Sequence, residues 1–148
     1  MSAAPTAPID IETARLAIRA LGAGDEDRLQ RVFDACADHF AALTGQPGPA
    51  RDAGAGELAA SLATPGRQVA LLTLLESGQE VGAVGWWAGN PAPDRALLGM
   101  LMVVPAHRGE GLAREALEGV EVWLAGRGIA ALRTAFQRRR LAVHPVVK

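Results

Sequence analysis

Apolar residues follow two different periods in the most informative part of the chain. Leu97 to Val104 is a continuous apolar run interrupted only by Gly99, the pattern of a strand covered on both faces. From Leu112 onward the apolar positions Leu112, Ala113, Ala116, Leu117, Val120, Trp123 and Leu124 recur at helical spacing. Pro105 cannot donate a backbone hydrogen bond, so the strand is predicted to end there. Gly109 and Gly111 permit tight turning and leave the backbone bare. The prediction is therefore strand, glycine-bearing loop, helix, with Gly126 as the helix C-cap. The first N–H groups of such a helix lack intrahelical acceptors and lie at the positive end of its dipole, which suits them to a phosphate. The dipole alone contributes about 0.3–1 kcal/mol, so several N–H bonds must act together.

The same reading extends along the rest of the chain. Met1 to Pro8 is small and proline-rich, and is expected to be a frayed tail. Ile11 to Leu21 reads as a first strand, with Leu16 and Ile18 alternating with Ala17 and Arg19. A helix is expected from Gly24-Asp25-Glu26-Asp27, with Leu29, Val32, Phe33, Cys36, Phe40 and Leu43 as its apolar stripe. Cys36 on that stripe reads as core. Asp38 and His39 flank it, and His39 could favour the helix dipole or face a ligand. Thr44 to Gly56 reads as a loop, followed by a short helix from Glu57 to Ala63 stopped by Pro65-Gly66. Gln68 to Glu76 and Glu80 to Trp87 are predicted strands joined by a hairpin at Ser77-Gly78-Gln79. Adjacent Trp86 and Trp87 should then point to opposite faces. A turn from Gly89 to Asp94 makes the stretch from Gln68 to Val104 an antiparallel meander. Ile129 to Phe136 is expected to pair in parallel with the Leu97–Val104 strand across the helical crossover.

The run from Leu101 to Ala113 resembles the acetyl-coenzyme A motif of the Gcn5-related N-acetyltransferases, the GNAT superfamily. That motif is an apolar strand, a proline, and then Arg/Gln-x-x-Gly-x-Gly/Ala opening a helix. Arg108, Gly111 and Ala113 occupy its defining positions, and Gly109 and Leu112 match its common form. The phrase from Ile11 to Arg19 looks like the opening of members related to the ribosomal-protein N-terminal acetyltransferases. The competing reading is an ordinary strand–turn–helix unit with Arg108 solvated. A P-loop is excluded because the only lysine is Lys148, and a dinucleotide fingerprint because Arg114 stands where its third glycine should be.

The resemblance implies an α/β (α+β) fold, a mixed and mostly antiparallel central sheet flanked by helices. Relatives continue past the point where this chain stops, so either the chain is a truncated form of a longer protein or the sheet is shortened at its C-terminal side. The run from Gln137 to Lys148 looks like the start of the next family helix, and Arg138, Arg139 and Arg140 in it read either as solvated or as coenzyme phosphate contacts. The implied co-substrate is acetyl-coenzyme A, and the implied reaction is direct attack of an amine on its thioester within a ternary complex. The acceptor would be a small molecule or a protein or peptide N-terminus. The pantetheine arm would bond main chain around Met102 and Val104, with an oxyanion donor at Met102 or Val103. The pyrophosphate would rest on Arg108, Gly109, Glu110, Gly111, Leu112 and Ala113. A coenzyme-binding module without turnover is the alternative, since there is no tyrosine to act as the acid many relatives use.

Composition narrows the remaining choices. At 148 residues and 49% hydrophobic, the chain reads as one domain with a sizeable core. A formal net charge of −1 gives no case for nucleic-acid binding. One cysteine excludes an intrachain disulfide, and no cysteine–histidine cluster has zinc spacing, so no metal site is expected. No run reaches membrane-span length and no signal-peptide pattern opens the chain, so a cytoplasmic protein is expected; a homodimer is left open. The acceptor must lose a proton, which for a lysine-like ammonium of pKa about 10.4 costs roughly 4–5 kcal/mol at pH 7. The central strand carries no acid or histidine. Glu80 and Asp94 at strand ends are candidate bases or surface turn residues, and His107 is expected to pack beside the loop. No catalytic side chain is assigned from sequence.

Overall fold

The mixed pattern of period-two and helical segments folds into one seven-stranded sheet with helices on both faces. The structure is a computed structural model that describes residues 7–134 and 143–145. The strands are β1 (Asp10–Glu12), β2 (Leu16–Ala20), β3 (Arg67–Leu74), β4 (Glu80–Ala88), β5 (Arg95–Val103), β6 (Ala131–Thr134) and β7 (Val143–Pro145), in spatial order β1 to β7. Every pairing is antiparallel except β5 with β6. The helices are α1 (Glu26–Ala35), α2 (Ala37–Thr44), α3 (Ala53–Ala63) and α4 (Leu112–Ala125). The expected meander is β3–β4–β5, and the expected parallel crossover runs through α4.

The two sheet faces are distinguished by Trp86 and Trp87. Trp86 is buried against Trp123 of α4, with ring centroids 6.0 Å apart. Trp87 lies among α2 and α3 residues and stays 38% exposed. Strand β4 pairs Gly85 with Met100 but Trp86 with Leu98, so Gly99 is an extra residue in β5. This bulge places Leu97, Gly99, Met100 and Met102 along the same cavity on the α1–α3 side.

Several boundaries differ from the sequence reading, each through a tertiary contact. The strand expected over Ile11–Leu21 is two strands, divided by a turn in which Thr13 N–H donates to the Leu16 carbonyl at 2.8 Å. The Glu115 carboxylate of α4 holds that turn, accepting the Arg15 N–H at 2.7 Å and the Thr13 hydroxyl. The single helix expected to carry the stripe from Leu29 to Leu43 breaks at Cys36, whose φ of −105° and ψ of 37° leave the helical region. Leu29, Val32, Phe33 and Cys36 are buried as predicted, but Leu43 beyond the break is 59% exposed.

Helix α3 starts at Ala53, four residues before the predicted start. Gly54, expected in a loop, is where α3 meets α1: a Cβ there would lie 2.8 Å from the Gln30 backbone nitrogen. Gly126 follows α4 in a right-handed conformation, and the left-handed turn falls on Gly128. Val143–Pro145, expected to enter a helix, is strand β7 on the edge of β6, a place that tolerates proline. Arg138, Arg139 and Arg140 lie outside the described residues. Most of the expected tail does too, but Ala7 and Ile9 are tied down by Gln68. Its amide donates to the Ala7 carbonyl at 2.8 Å and accepts the Ile9 N–H at 2.9 Å. No helix among the described residues is long and apolar enough to cross a membrane.

Candidate functional site

The strand–loop–helix unit forms as its residue pattern predicts. Strand β5 ends at Val103, Pro105–His107 forms a single 3₁₀ turn, and α4 starts at Leu112. Gly109 and Gly111 adopt φ of 81° and 84°, a region costly for residues with a Cβ. This left-handed pair turns the chain so that the amides from Gly109 to Arg114 bond to no other group among the described residues. Glu115 is the first α4 residue whose N–H finds a carbonyl, that of Gly111 at 3.0 Å. The loop thus presents a row of N–H donors at the positive end of a fourteen-residue helix.

The β6-facing edge of β5 adjoins that loop. The parallel ladder joins Arg95–Leu98 to Ala131–Thr134, and no described residue pairs with β5 on that side beyond Leu98. Polar groups alternate sides along a strand. The Val104 N–H turns to β4 and donates to the Val81 carbonyl at 2.8 Å, and the Met102 carbonyl faces Gly82. The Val103 carbonyl turns the other way and accepts from the Arg108 side chain. At Met102 and Val104, where the resemblance implied main-chain contacts to the coenzyme, the Val104 N–H is used on Val81 and its carbonyl on His107, while by strand alternation Leu101 and Val103 turn their main-chain groups to the open edge. Met102 contributes its side chain to the cavity instead.

The structure gives the Arg108 guanidinium a different partner from the one the motif suggested. Its Nε donates to the Val103 carbonyl at 2.7 Å, and its two terminal nitrogens donate to the Asp38 carboxylate at 2.6 and 3.0 Å. Asp38 is held below the ordinary carboxylate range by these bonds. Arg108 therefore clamps the first turn of α2 to the end of β5, while its backbone N–H closes the 3₁₀ turn onto Pro105. Burial pushes the neighbouring Cys36 thiol up, with Arg108 opposing the shift, so Cys36 is a protonated core thiol.

Arg15 is a cation beside the loop that sequence reasoning did not single out. It donates to the Glu110 carbonyl at 3.0 Å and pairs with Glu115 at 2.7 Å. No local pattern marks it, because both partners lie about a hundred residues away. The Gly99 bulge was signalled by a glycine within an apolar run. His107 packs beside the loop, 3.4 Å from the Glu110 carboxylate.

On the other face, the bulge forms the floor of a cavity of about 470 Å³ walled by α1, α2 and α3. Phe33, Phe40, Trp87, Met100 and Met102 give it apolar walls, and His39, Glu57 and Arg67 are its ionisable groups. Glu57 and Arg67 pair with each other at 2.8 Å. The two sequence candidates for a base lie elsewhere. Glu80 binds Arg28 at 2.6 Å, and Asp94 is an exposed turn residue 3.5 Å from the Arg95 side chain.

Known proteins share this fold. The sequence model of the acetyltransferase (GNAT) family matches residues 33–145. A solved acetyltransferase from Thermus thermophilus superposes with a TM-score of 0.71 at 27% identity, covering 88% of this chain and 81% of that one. A probable GNAT-family acetyltransferase from Chromobacterium violaceum gives 0.69 at 25% identity, covering 90% and 68%. A GNAT-family acetyltransferase from Brucella melitensis, solved in complex with acetyl-coenzyme A, gives 0.61 at 17% identity over 90% and 89%, a likeness of fold. The search of curated proteins gives no match. With the family match spanning well over half of its length, the chain belongs to the GNAT family of acetyltransferases, enzymes that draw their acetyl group from acetyl-coenzyme A.

Proposed function

We propose that residues 1–148 act as one catalytic domain that moves an acetyl group from acetyl-coenzyme A to an amine, by direct attack within a ternary complex. The row of amides from Gly109 to Arg114, without partners among the described residues, carries this reading. A diphosphate accepts several hydrogen bonds at once, which is what the two left-handed glycines make available. The coenzyme's pantetheine arm runs along the open edge of β5, where the Val103 N–H is the donor for the tetrahedral oxyanion. The thioester then lies beside the Gly99 bulge, open to the cavity on the α1–α3 side. A Brucella protein of the same fold is solved in complex with acetyl-coenzyme A, which supports the choice of co-substrate.

The amine nitrogen attacks the thioester carbon as a neutral group. The C–N bond forms, the C–S bond breaks, and the sulfur leaves as a thiolate. With a thiol pKa of about 8.5, that thiolate takes up a proton readily. Isothermal titration with acetyl-coenzyme A tests the binding step, with one site per chain expected; no binding by a folded sample would refute the proposal. Acceptor-dependent thiol release over a panel of amines tests turnover. Binding without such release would leave a coenzyme-binding module in its place.

A further inference from the structure

We propose that the cavity over the β5 bulge binds a primary amine carried on an apolar, ring-bearing body, and that His39 is the group that receives the amine's proton. This rests on the acetyl-transfer reading above and specifies its acceptor side.

The body of the acceptor follows from the walls. Phe33 and Phe40 stand with ring centroids 4.9 Å apart, Trp87 presents a partly exposed ring, and two methionine thioethers line the floor. Aromatic and thioether surfaces favour a flat apolar group. The charges in the cavity are already matched. Glu57 is paired with Arg67, and Gln68 spends its amide on Ala7 and Ile9. Nothing among the described lining residues offers a free carboxylate to a second or third ammonium, so a polycation would be poorly held.

The proton acceptor follows by the same accounting. His39 contacts the Phe40 ring edge-on at 5.3 Å, and its imidazole makes no hydrogen bond among the described residues. Among those residues it is the one ionisable lining group with no ion pair or hydrogen bond. The charged groups nearest to it are Asp38 and Arg108, which pair with each other, and the buried Cys36 thiol lies behind them. Burial holds the His39 imidazole below its ordinary value. Asp38 opposes that shift and Arg108 adds to it, so the ring is neutral and able to accept a proton at pH 7. The Arg108–Asp38 clamp fixes the α2 turn that carries His39 to the end of β5, the strand on which the thioester rests.

Protons and electrons balance over the step. The bound ammonium gives one proton to the His39 imidazole, producing a neutral amine and an imidazolium. The amine attacks the thioester carbon, the second proton leaving nitrogen goes to the departing thiolate, and the imidazolium returns its proton to solvent. General-base catalysis of this kind contributes about 10²–10⁴-fold.

The test uses the full chain, with phenethylamine and spermidine as acceptors in a thiol-release assay and calorimetry with acetyl-coenzyme A as the control for folding. His39→Gln should lower kcat with phenethylamine by about a hundredfold, abolish the acidic limb of its pH profile, and leave acetyl-coenzyme A affinity unchanged. Trp87→Ala should raise the phenethylamine KM with acetyl-coenzyme A affinity likewise retained. The wild type should prefer phenethylamine over spermidine by at least about tenfold in kcat/KM. Spermidine preferred, or His39→Gln retaining kcat and the acidic limb, would overturn the inference while leaving acetyl transfer intact. Wild type that neither binds acetyl-coenzyme A nor releases thiol would overturn both.

Discussion

Gly111 shows how much of the site depends on a single backbone angle. Its φ of 84° aims the first amides of α4 outward, and a Cβ there would meet nothing nearer than the Arg15 side chain at 3.6 Å. Gly111→Ala is thus a change in strain with little steric clash, costing about 1–2 kcal/mol in the left-handed region. Chemical denaturation should show that loss, and calorimetry should show weaker acetyl-coenzyme A binding as the loop relaxes away from its donor geometry. Arg108 acts through a different route. Arg108→Glu sets a carboxylate against Asp38 and the Val103 carbonyl, so the end of β5 should loosen and acetyl-coenzyme A affinity should fall. Undiminished affinity in that variant would show that the clamp is not needed to hold the open edge.

At the level of elements, two contacts hold the site in register. Glu115 in the first turn of α4 joins that helix to the β1–β2 turn through Thr13 and Arg15. Its burial would raise its pKa, but the Thr13 and Arg15 hydrogen bonds and the Arg15 charge outweigh that, and the net shift is downward. Glu115→Ala leaves the Arg15 N–H and the Thr13 hydroxyl without that acceptor, at a cost of about 1–3 kcal/mol, measurable as a shifted urea midpoint. The second contact is between β4 and β5 at Gly82. A Cβ on Gly82 would run into the Met102 carbonyl oxygen and approach Leu72 to 3.0 Å. Gly82→Ala must push β5 away from β4, an overpacking cost of about 1–3 kcal/mol, and it should disturb the strand along which we propose the thioester lies. Normal stability in that variant would mean that β5 yields more easily than its register suggests.

For the whole molecule, acid should be destabilising, and the sign follows from the direction of each shift. Asp25, held down first by the Gly22 N–H and then by Arg28, and Glu115 both have folded values below their ordinary ones. Such groups contribute stability that is fully present above their unfolded values near 4 and lost as the pH falls through the folded values. His39 works in the same direction over a higher range. Its folded value is depressed, so the unfolded chain binds its proton first and stability falls as the pH drops below about 6.5. Thermal melts should therefore show a shallow decline that begins below about pH 6.5 and a steeper one below about 4. His39→Gln should remove the upper part alone.

The elements and the glycine loop before α4 were legible in the residues themselves, because they depend on local rules. Apolar period, a proline that cannot donate and glycines that tolerate positive φ act within a few residues of one another. They were enough to indicate β3–β4–β5, the loop and α4. Distant partners decided the rest. The β1–β2 turn needs Glu115, the early start of α3 needs the close pass of Gly54 over Gln30, and the Arg108 guanidinium turns to Asp38 seventy residues away. The cavity depends on distance in the same way, since Phe40, Trp87 and Met100 become neighbours only when α2 closes over the bulged strand. Local sequence determines which backbone groups are left to bind, because that is a property of short-range sterics. Only the folded chain determines which side chains surround them, because those contacts join residues that no sequence period relates.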